Sequence, residues 1–509
     1  MVKGGGGLLR NVTANLLGLG VGAIVGVLFT PYLVRHLGLD GYGLVPLANT
    51  LFAFLMPILI TLTTPYCRDL TVALESQDLT KARVIFNSGI FGSIVLAFII
   101  ASAALPVVVS PLTFFRVAPG YEDDSRLLLA GSTGALLVTT LSTPFELVMF
   151  CKSRFALRNL VTMLGTGTRV ALVMLMFTLV GARPRYVGAG LFAGALVSAT
   201  LAFIASRALL PDVRFAPKLV RWATFVSFLK TGAWLLIQQV GTVLFLNVDI
   251  VVVNRFIGPR EAGLYSLAMF WATTLVTASA AVGSAFSPPI LRAYGRGHED
   301  FAASTTRAVR SVSLIMALPV AGVAGLAPAL LRVWQGADVV HLAPLLAMLA
   351  GVHLTTLAFM PLGNVFIATD RVRTPSIAQI VAGVAKLALA IVLVRVFDLG
   401  MIGVAIAGGV LLIARSCVYN VLLASKITGV PATSYIKAAL PASTVGLVSA
   451  VIMWAVAKSW IVSSWIHLGL LGLAQAVLYA AASWLVVLVP EEKIYVKSLM
   501  RRVLTPRAA

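Results

Sequence analysis

Arg169, Lys386 and Arg415 stand inside long apolar stretches, and a charge in hydrocarbon is costly and seldom idle. Laying the sequence over itself at an offset of 217 pairs Arg154 with Arg371 and Arg169 with Lys386. Each half of the chain thus carries a cation at the same depth of a corresponding stretch. Fixed positive charge there would receive an anionic group, whose desolvation without partners costs on the order of several kcal/mol or more. The plainer reading is a basic side chain that snorkels to the headgroups, which is hardest to apply to Arg169, near the middle of its stretch. Asp249 is the clear intramembrane carboxylate. It shares a stretch with Gln239, Thr242 and Asn247, which give that helix a semi-polar stripe. Two roles suit it: coupling to an ion, or a structural ion pair with a neighbouring helix.

A second self-alignment, ungapped at an offset of 220, pairs Arg35/Arg255, Gly38/Gly258, Gly43/Gly263, Leu44/Leu264, Leu47/Leu267 and Ala48/Ala268. Both copies fall where one apolar stretch ends and the next begins. After a four-residue slip the repeat resumes as Pro65/Pro289, Arg68/Arg292, Glu75/Glu299 and Arg83/Arg307. A duplicated helical membrane unit is a common ground plan of secondary transporters, whose site lies where the units meet. That plan sets Arg35 and Arg255 at the outer rim of a central cavity, with Asp249 below them. Phe29 takes the place of Asp249 in the first copy.

The elements that must position these residues are fourteen apolar stretches. They run over 12–34, 44–66, 84–110, 127–150, 160–180, 186–206, 231–253, 263–288, 311–331, 341–368, 376–394, 400–424, 438–457 and 465–489. A membrane-spanning helix needs roughly 20 apolar residues, so the chain is expected to be an all-α polytopic membrane protein. Residues 1–206 form an N-terminal six-helix lobe, 207–230 a basic cytoplasmic linker, and 231–430 a C-terminal six-helix lobe. Residues 431–509 hold helices thirteen and fourteen and a basic tail (Lys493, Lys497, Arg501, Arg502, Arg507). In the linker, Pro211 and Pro217 oppose a single long helix. Trp222, Phe225 and Phe228 suit an interfacial segment whose basic face rests on anionic headgroups.

Hydrophobic residues make up 59% of the 509 and charged residues 11%, with a mean hydropathy of +0.98. A soluble globular protein carries about 25% charged residues, so that class is excluded. The net charge of +21 would suggest nucleic acid in a soluble chain. Here it reports orientation, because Lys and Arg collect in cytoplasmic loops, and no nucleic-acid partner is expected. With both termini inside, the inside segments hold 26 Lys and Arg and the outside loops 10, the other three of the 39 being intramembrane. The first apolar run follows Lys3 and Arg10 but is too long for the roughly 7–15-residue core of a signal peptide, and is expected to be a retained helix.

Three cysteines support neither a disulfide framework nor a metal cluster. Cys67 and Cys151 at helix ends, and Cys417 within a helix, are expected to be small apolar filler. The chain has no Gly-x-x-x-x-Gly-Lys-Ser/Thr run to cradle a phosphate, and its five histidines lack metal-ligand spacing. No acid pair or nucleophile–base set is recognisable, so neither an enzymatic centre nor a cofactor is expected. Glu146, near the cytoplasmic end of the fourth helix, is expected to pair with Lys152 or Arg154.

The segments Arg35–Leu44 and Asp249–Tyr265, with Ser287–Arg292 and Leu331–Gly336, resemble the polysaccharide-transporter or O-antigen flippase (Wzx-type) family of the multidrug/oligosaccharidyl-lipid/polysaccharide (MOP) exporter superfamily. The resemblance covers about residues 10 to 430 and marks the family better than the cargo. It implies two six-helix lobes around a cationic cavity, which would include Arg35, Arg255, Arg169, Lys386 and Arg415. It also implies movement of a lipid-pyrophosphate-linked oligosaccharide from the inner to the outer leaflet of a bacterial plasma membrane, driven by an ion gradient or membrane potential. Glycan polymerase and other assembly proteins are the implied partners. Drug exporters of the superfamily commonly carry cation-binding carboxylates in the N-terminal lobe; here that lobe offers only Glu146, near a helix end. Two alternatives stay open: a lipid II-type peptidoglycan precursor flippase, and a non-transporting scaffold of a glycan-assembly complex.

Overall fold

The computed structural model describes residues 5–488, 490 and 493; Lys3 and the tail cations Lys497, Arg501, Arg502 and Arg507 lie outside them. Fourteen helices are long and apolar enough to cross a membrane, and no strand occurs among the described residues. They are α1 (Gly22–Tyr42), α2 (Leu44–Glu75), α3 (Leu79–Val109), α4 (Glu122–Cys151), α5 (Phe155–Leu179), α6 (Pro184–Leu209) and α7 (Leu236–Ile257). The series continues with α8 (Pro259–Arg296), α9 (Glu299–Gly325), α10 (Ala337–Ala368), α11 (Arg373–Arg395), α12 (Gly400–Thr428), α13 (Ala432–Ser459) and α14 (Trp465–Val487). Each of the fourteen apolar stretches has become one of these helices, several of which run on past the apolar part into polar ends.

By packing, the helices form two compact units: residues 1–266 with 379–404, and residues 267–378 with 405–509. The repeat alone placed the division in the linker. Packing keeps α7, the start of α8 and most of α11 with the first six helices. One reason lies before α7, whose helix already begins at Trp222. Phe225 and Phe228 are fully buried, Phe228 edge-on to Tyr66 of α2 at 6.2 Å between centroids and Phe225 edge-on to Phe91 of α3 at 5.7 Å. These aromatic residues anchor the helix in the first unit, which corrects the expectation of an interfacial segment; Trp222 alone of the three is exposed.

The irregular part of the linker is correspondingly short, and it contains both prolines. Buried Asn87 of α3 holds it, donating to the Arg214 carbonyl (3.1 Å) and accepting from the Ala216 N–H (2.6 Å). Arg83 donates to the Asp212 carbonyl at 2.9 Å. A core of Leu62, Tyr66, Leu70, Ile85 and Phe86 fills one end of the first unit, and Phe301, Val309, Leu362, Val365 and Tyr435 fill part of the second. Cys67 and Cys151 are free thiols whose Sγ atoms lie 3.6 Å apart where α2 meets α4.

Candidate functional site

Asp249 is buried, and so is the cation that meets it. Lys386 Nζ lies 2.8 Å from Asp249 Oδ1, and the Tyr265 hydroxyl donates to Asp249 Oδ2 at 2.9 Å. Phe245 and Asp249 are four residues apart on α7 and therefore share a face. One ammonium can thus meet the carboxylate, donate to the Phe245 carbonyl and stand 4.9 Å from the Phe245 ring centroid. The helices approach closely enough for this because glycines line the seam. A Cβ at Gly241 would lie 2.8 Å from Ile380 Cγ1, and one at Gly383 would lie 3.1 Å from Leu244 Cβ; small residues are what let membrane helices pack this tightly. Asp249 thus forms an ion pair with a neighbouring helix. Thr242 and Asn247 of the expected polar stripe bond back to carbonyls of their own helix.

Arg169, the repeat counterpart of Lys386, has different surroundings. Its guanidinium stands 6.0 Å from the ring centroid of Phe29, and Phe29 is the repeat counterpart of Asp249. The two copies therefore keep the same helix-to-helix contact, α5 on α1 and α11 on α7, but only the second carries a carboxylate. A cation–π contact contributes about 0.5–2 kcal/mol and cancels no charge. The Arg169 Nε is buried with no hydrogen-bond partner among the described residues. Arg169 lines a cavity of ≈ 250 Å³ in the first unit, with Arg158, Glu146, Thr139, Thr162 and Ser198 among its neighbours. Glu146 faces this cavity and accepts from Ser142 Oγ at 3.1 Å; no ion pair joins it to Lys152 or Arg154 among the described residues. Those two cations sit exposed in the turn after α4, so the expected pairing is corrected.

Arg35 and Arg255 are exposed near the ends of α1 and α7. Neither has an ion-pair partner among the described residues. Close beside them the two motif copies touch. A Cβ at Gly43 would collide with the Pro259 carbonyl oxygen, and one at Gly263 would lie 3.2 Å from the Gly43 Cα. This is the requirement behind the duplicated glycine. Gly38 breaks α1 with φ 66°. Asn254, fully buried, clamps the backbone of Arg116, accepting its N–H and donating to its carbonyl, both at 2.9 Å. Sequence reading missed this clamp and Tyr265, because neither residue stands out by type or spacing. Arg415 lies half-buried in a π-helical turn of α12, in the second unit. No cluster of three or more metal-ligating side chains occurs among the described residues.

The family model described as polysaccharide biosynthesis protein matches residues 8–294, more than half the chain. The uncharacterized membrane protein EpsK of Bacillus subtilis (strain 168) is 27% identical over 500 residues, covering 97% of this chain and 98% of that protein. Among solved structures, the lipid II flippase MurJ in an inward closed conformation aligns with TM-score 0.68 and 15% identity, over 97% of this chain and 100% of that one. An inward-facing multidrug resistance MATE family transporter of the MOP superfamily aligns with TM-score 0.64 and 17% identity, over 79% and 94%. The fold is that of the MOP superfamily.

Proposed function

Because the chain belongs to the polysaccharide biosynthesis protein family, we propose that it is a flippase for a lipid-linked oligosaccharide, carrying it from the cytoplasmic to the outer leaflet by alternating access. The observation that carries this reading is Arg169, whose Nε has no partner among the described residues, in a cavity it shares with Arg158. Two guanidiniums face one carboxylate there, so the cavity suits an anion, and a (pyro)phosphate linkage is the anion such a cargo presents. Arginine forks bind phosphate oxygens in pairs. Cationic drugs would find the opposite balance of charge. Lys386 is not offered as a second phosphate ligand, because Asp249 and Phe245 already engage its ammonium. The buried Asp249–Lys386 pair is instead the candidate coupling element through which an ion gradient or the membrane potential acts.

The bias of Lys and Arg supports cytoplasmic termini in a bacterial plasma membrane, and a glycan polymerase is the natural acceptor of the product. The test is direct. Purified protein in liposomes should move a fluorescent polyprenyl-pyrophosphate-linked oligosaccharide between leaflets, read by a membrane-impermeant quencher, and should move lipid II more slowly. Faster movement of lipid II would favour a peptidoglycan precursor as cargo. Movement of neither would return the chain to the role of scaffold.

A further inference from the structure

The duplicated arginines at the ends of α2–α3 and α8–α9 have different fates. In the first copy Arg83 donates to the Asp212 carbonyl and Arg68 pairs with Asp69 at 2.8 Å. Both are occupied by the protein itself. In the second copy their counterparts Arg292 and Arg307 are exposed, with no ion-pair or hydrogen-bond partner among the described residues. Arg296, which belongs to the same group, has no basic counterpart in the first copy, where Val72 stands in its place.

Spacing explains how the group assembles. Arg292 and Arg296 are four residues apart on α8, while Asp300, Ser304 and Arg307 recur every three or four residues along the start of α9. Residues so spaced share a helix face. The two faces line a polar cavity of ≈ 300 Å³ within the second unit. Arg296 Nε lies 2.9 Å from Asp300 Oδ2, which neutralises the one carboxylate of the cavity and leaves two guanidiniums uncompensated. Leu291 and Tyr294 on the same end of α8 are 41% and 49% exposed. An aromatic and apolar flank beside cations is the composition of a helix end at a membrane–water interface.

We propose that Arg292, Arg296 and Arg307 form a binding site for a phosphate group, carried by a lipid headgroup or free in solution. Planar guanidinium forks match phosphate oxygens bidentately, which lysines do not. The site is separate from the Arg169 cavity, and its occupancy can be measured without any flipping.

The full-length protein is titrated with inorganic pyrophosphate in detergent by equilibrium dialysis. In parallel, nanodiscs of phosphatidylcholine containing phosphatidylglycerol or a polyprenyl pyrophosphate are examined by native mass spectrometry for retained lipid. Pyrophosphate that binds and displaces phosphatidylglycerol would show that phosphate chemistry alone suffices. Retention of one lipid without pyrophosphate binding would assign the site to that headgroup. The double variant Arg292→Gln/Arg307→Gln should weaken binding about tenfold or more, since it removes two of the guanidiniums that would donate charge-assisted hydrogen bonds to the phosphate. Ser304→Glu, which adds a carboxylate to the lining and leaves the arginines in place, should do the same. Repeated in an Arg169→Gln background, which removes a guanidinium from the other cavity, the loss caused by Arg292→Gln/Arg307→Gln should persist, which keeps the test distinct from that of the flippase reading. Wild-type affinity in the double variant, at an unchanged unfolding temperature, overturns the proposal, as does failure of all three probes to bind the wild-type protein.

Discussion

Arg169 stands over Phe29 at 6.0 Å, where the second copy of the repeat sets Lys386 against Asp249 at 2.8 Å. Duplication has preserved the contact between helices and changed its charge. In the second copy a carboxylate closes the pair electrically; in the first a ring stands in its place and cancels no charge. Consequences for stability and for transport then separate, and the two copies can be tested against each other.

Removing one member of the buried pair should destabilise the protein. Asp249→Asn or Lys386→Met strands the other charge, at a cost of about 3–5 kcal/mol. Replacing both with apolar groups, Asp249→Leu with Lys386→Met, should recover most of that loss in a thermal unfolding measurement. If the recovered double variant still flips cargo under an ion gradient at the wild-type rate, the pair serves packing and the coupling role is refuted.

The glycines of the duplicated motif should not tolerate substitution equally. A Cβ at Gly43 would run into the Pro259 carbonyl, part of the backbone that cannot swing away, while one at Gly263 finds its nearest atoms at 3.1 Å and 3.2 Å. Overpacking costs about 1–3 kcal/mol, so Gly43→Ala should lower the unfolding temperature clearly and Gly263→Ala much less. Equal effects would mean that the two segments do not meet at this distance.

How much of this was legible beforehand follows from what a sequence encodes locally. Fourteen spans were readable because about 20 consecutive apolar residues are a local signal. Arg169, Lys386 and Asp249 were readable because a charge in such a run is conspicuous by type. The partner of Asp249 was not, since it depends on which helix packs against α7, and that is decided by the close approach at Gly241 and Gly383. The matching positions of Arg169 and Lys386 suggested matching duties. Symmetry of position is inherited through duplication, but a partner can change by one substitution, as Phe29 and Asp249 show. Packing divides the chain differently from the repeat for a similar reason: the repeat records ancestry, and packing follows buried faces such as those of Phe225 and Phe228.

Asn254 should matter through Arg116. Its side chain serves both the N–H and the carbonyl of that residue, so Asn254→Ala leaves two backbone groups without partners, at about 1–3 kcal/mol for a group kept from water. Amide hydrogen exchange at Arg116 should accelerate in the variant. Unchanged protection there would show that the clamp does not hold the segment in the membrane-embedded protein.

The proposed orientation has its own test. On a background lacking Cys67, Cys151 and Cys417, a single cysteine at Asp123 should react with an impermeant thiol reagent added to intact cells, and one at Lys218 should react only after permeabilisation. Both positions are exposed, so access is decided by the membrane side. Labelling of position 218 from outside would reverse the topology.

The sharpest test of the Arg169 cavity is to give the first copy what the second already has. Phe29→Asp would set a carboxylate opposite Arg169 in the arrangement that Asp249 and Lys386 use. The new pair should neutralise the cation without stranding it, so the variant should insert and unfold much as wild type does, yet lose movement of an anionic cargo. Phe29→Leu removes the ring but leaves the charge, and should retain most of that movement, since the cation–π contact supplies only about 0.5–2 kcal/mol. Arg169→Gln should behave like Phe29→Asp in transport, and Arg169→Lys should keep part of it, having a point charge without the bidentate fork. A well-expressed Phe29→Asp protein that flips cargo at the wild-type rate would mean that positive charge at this position is not what the cargo meets.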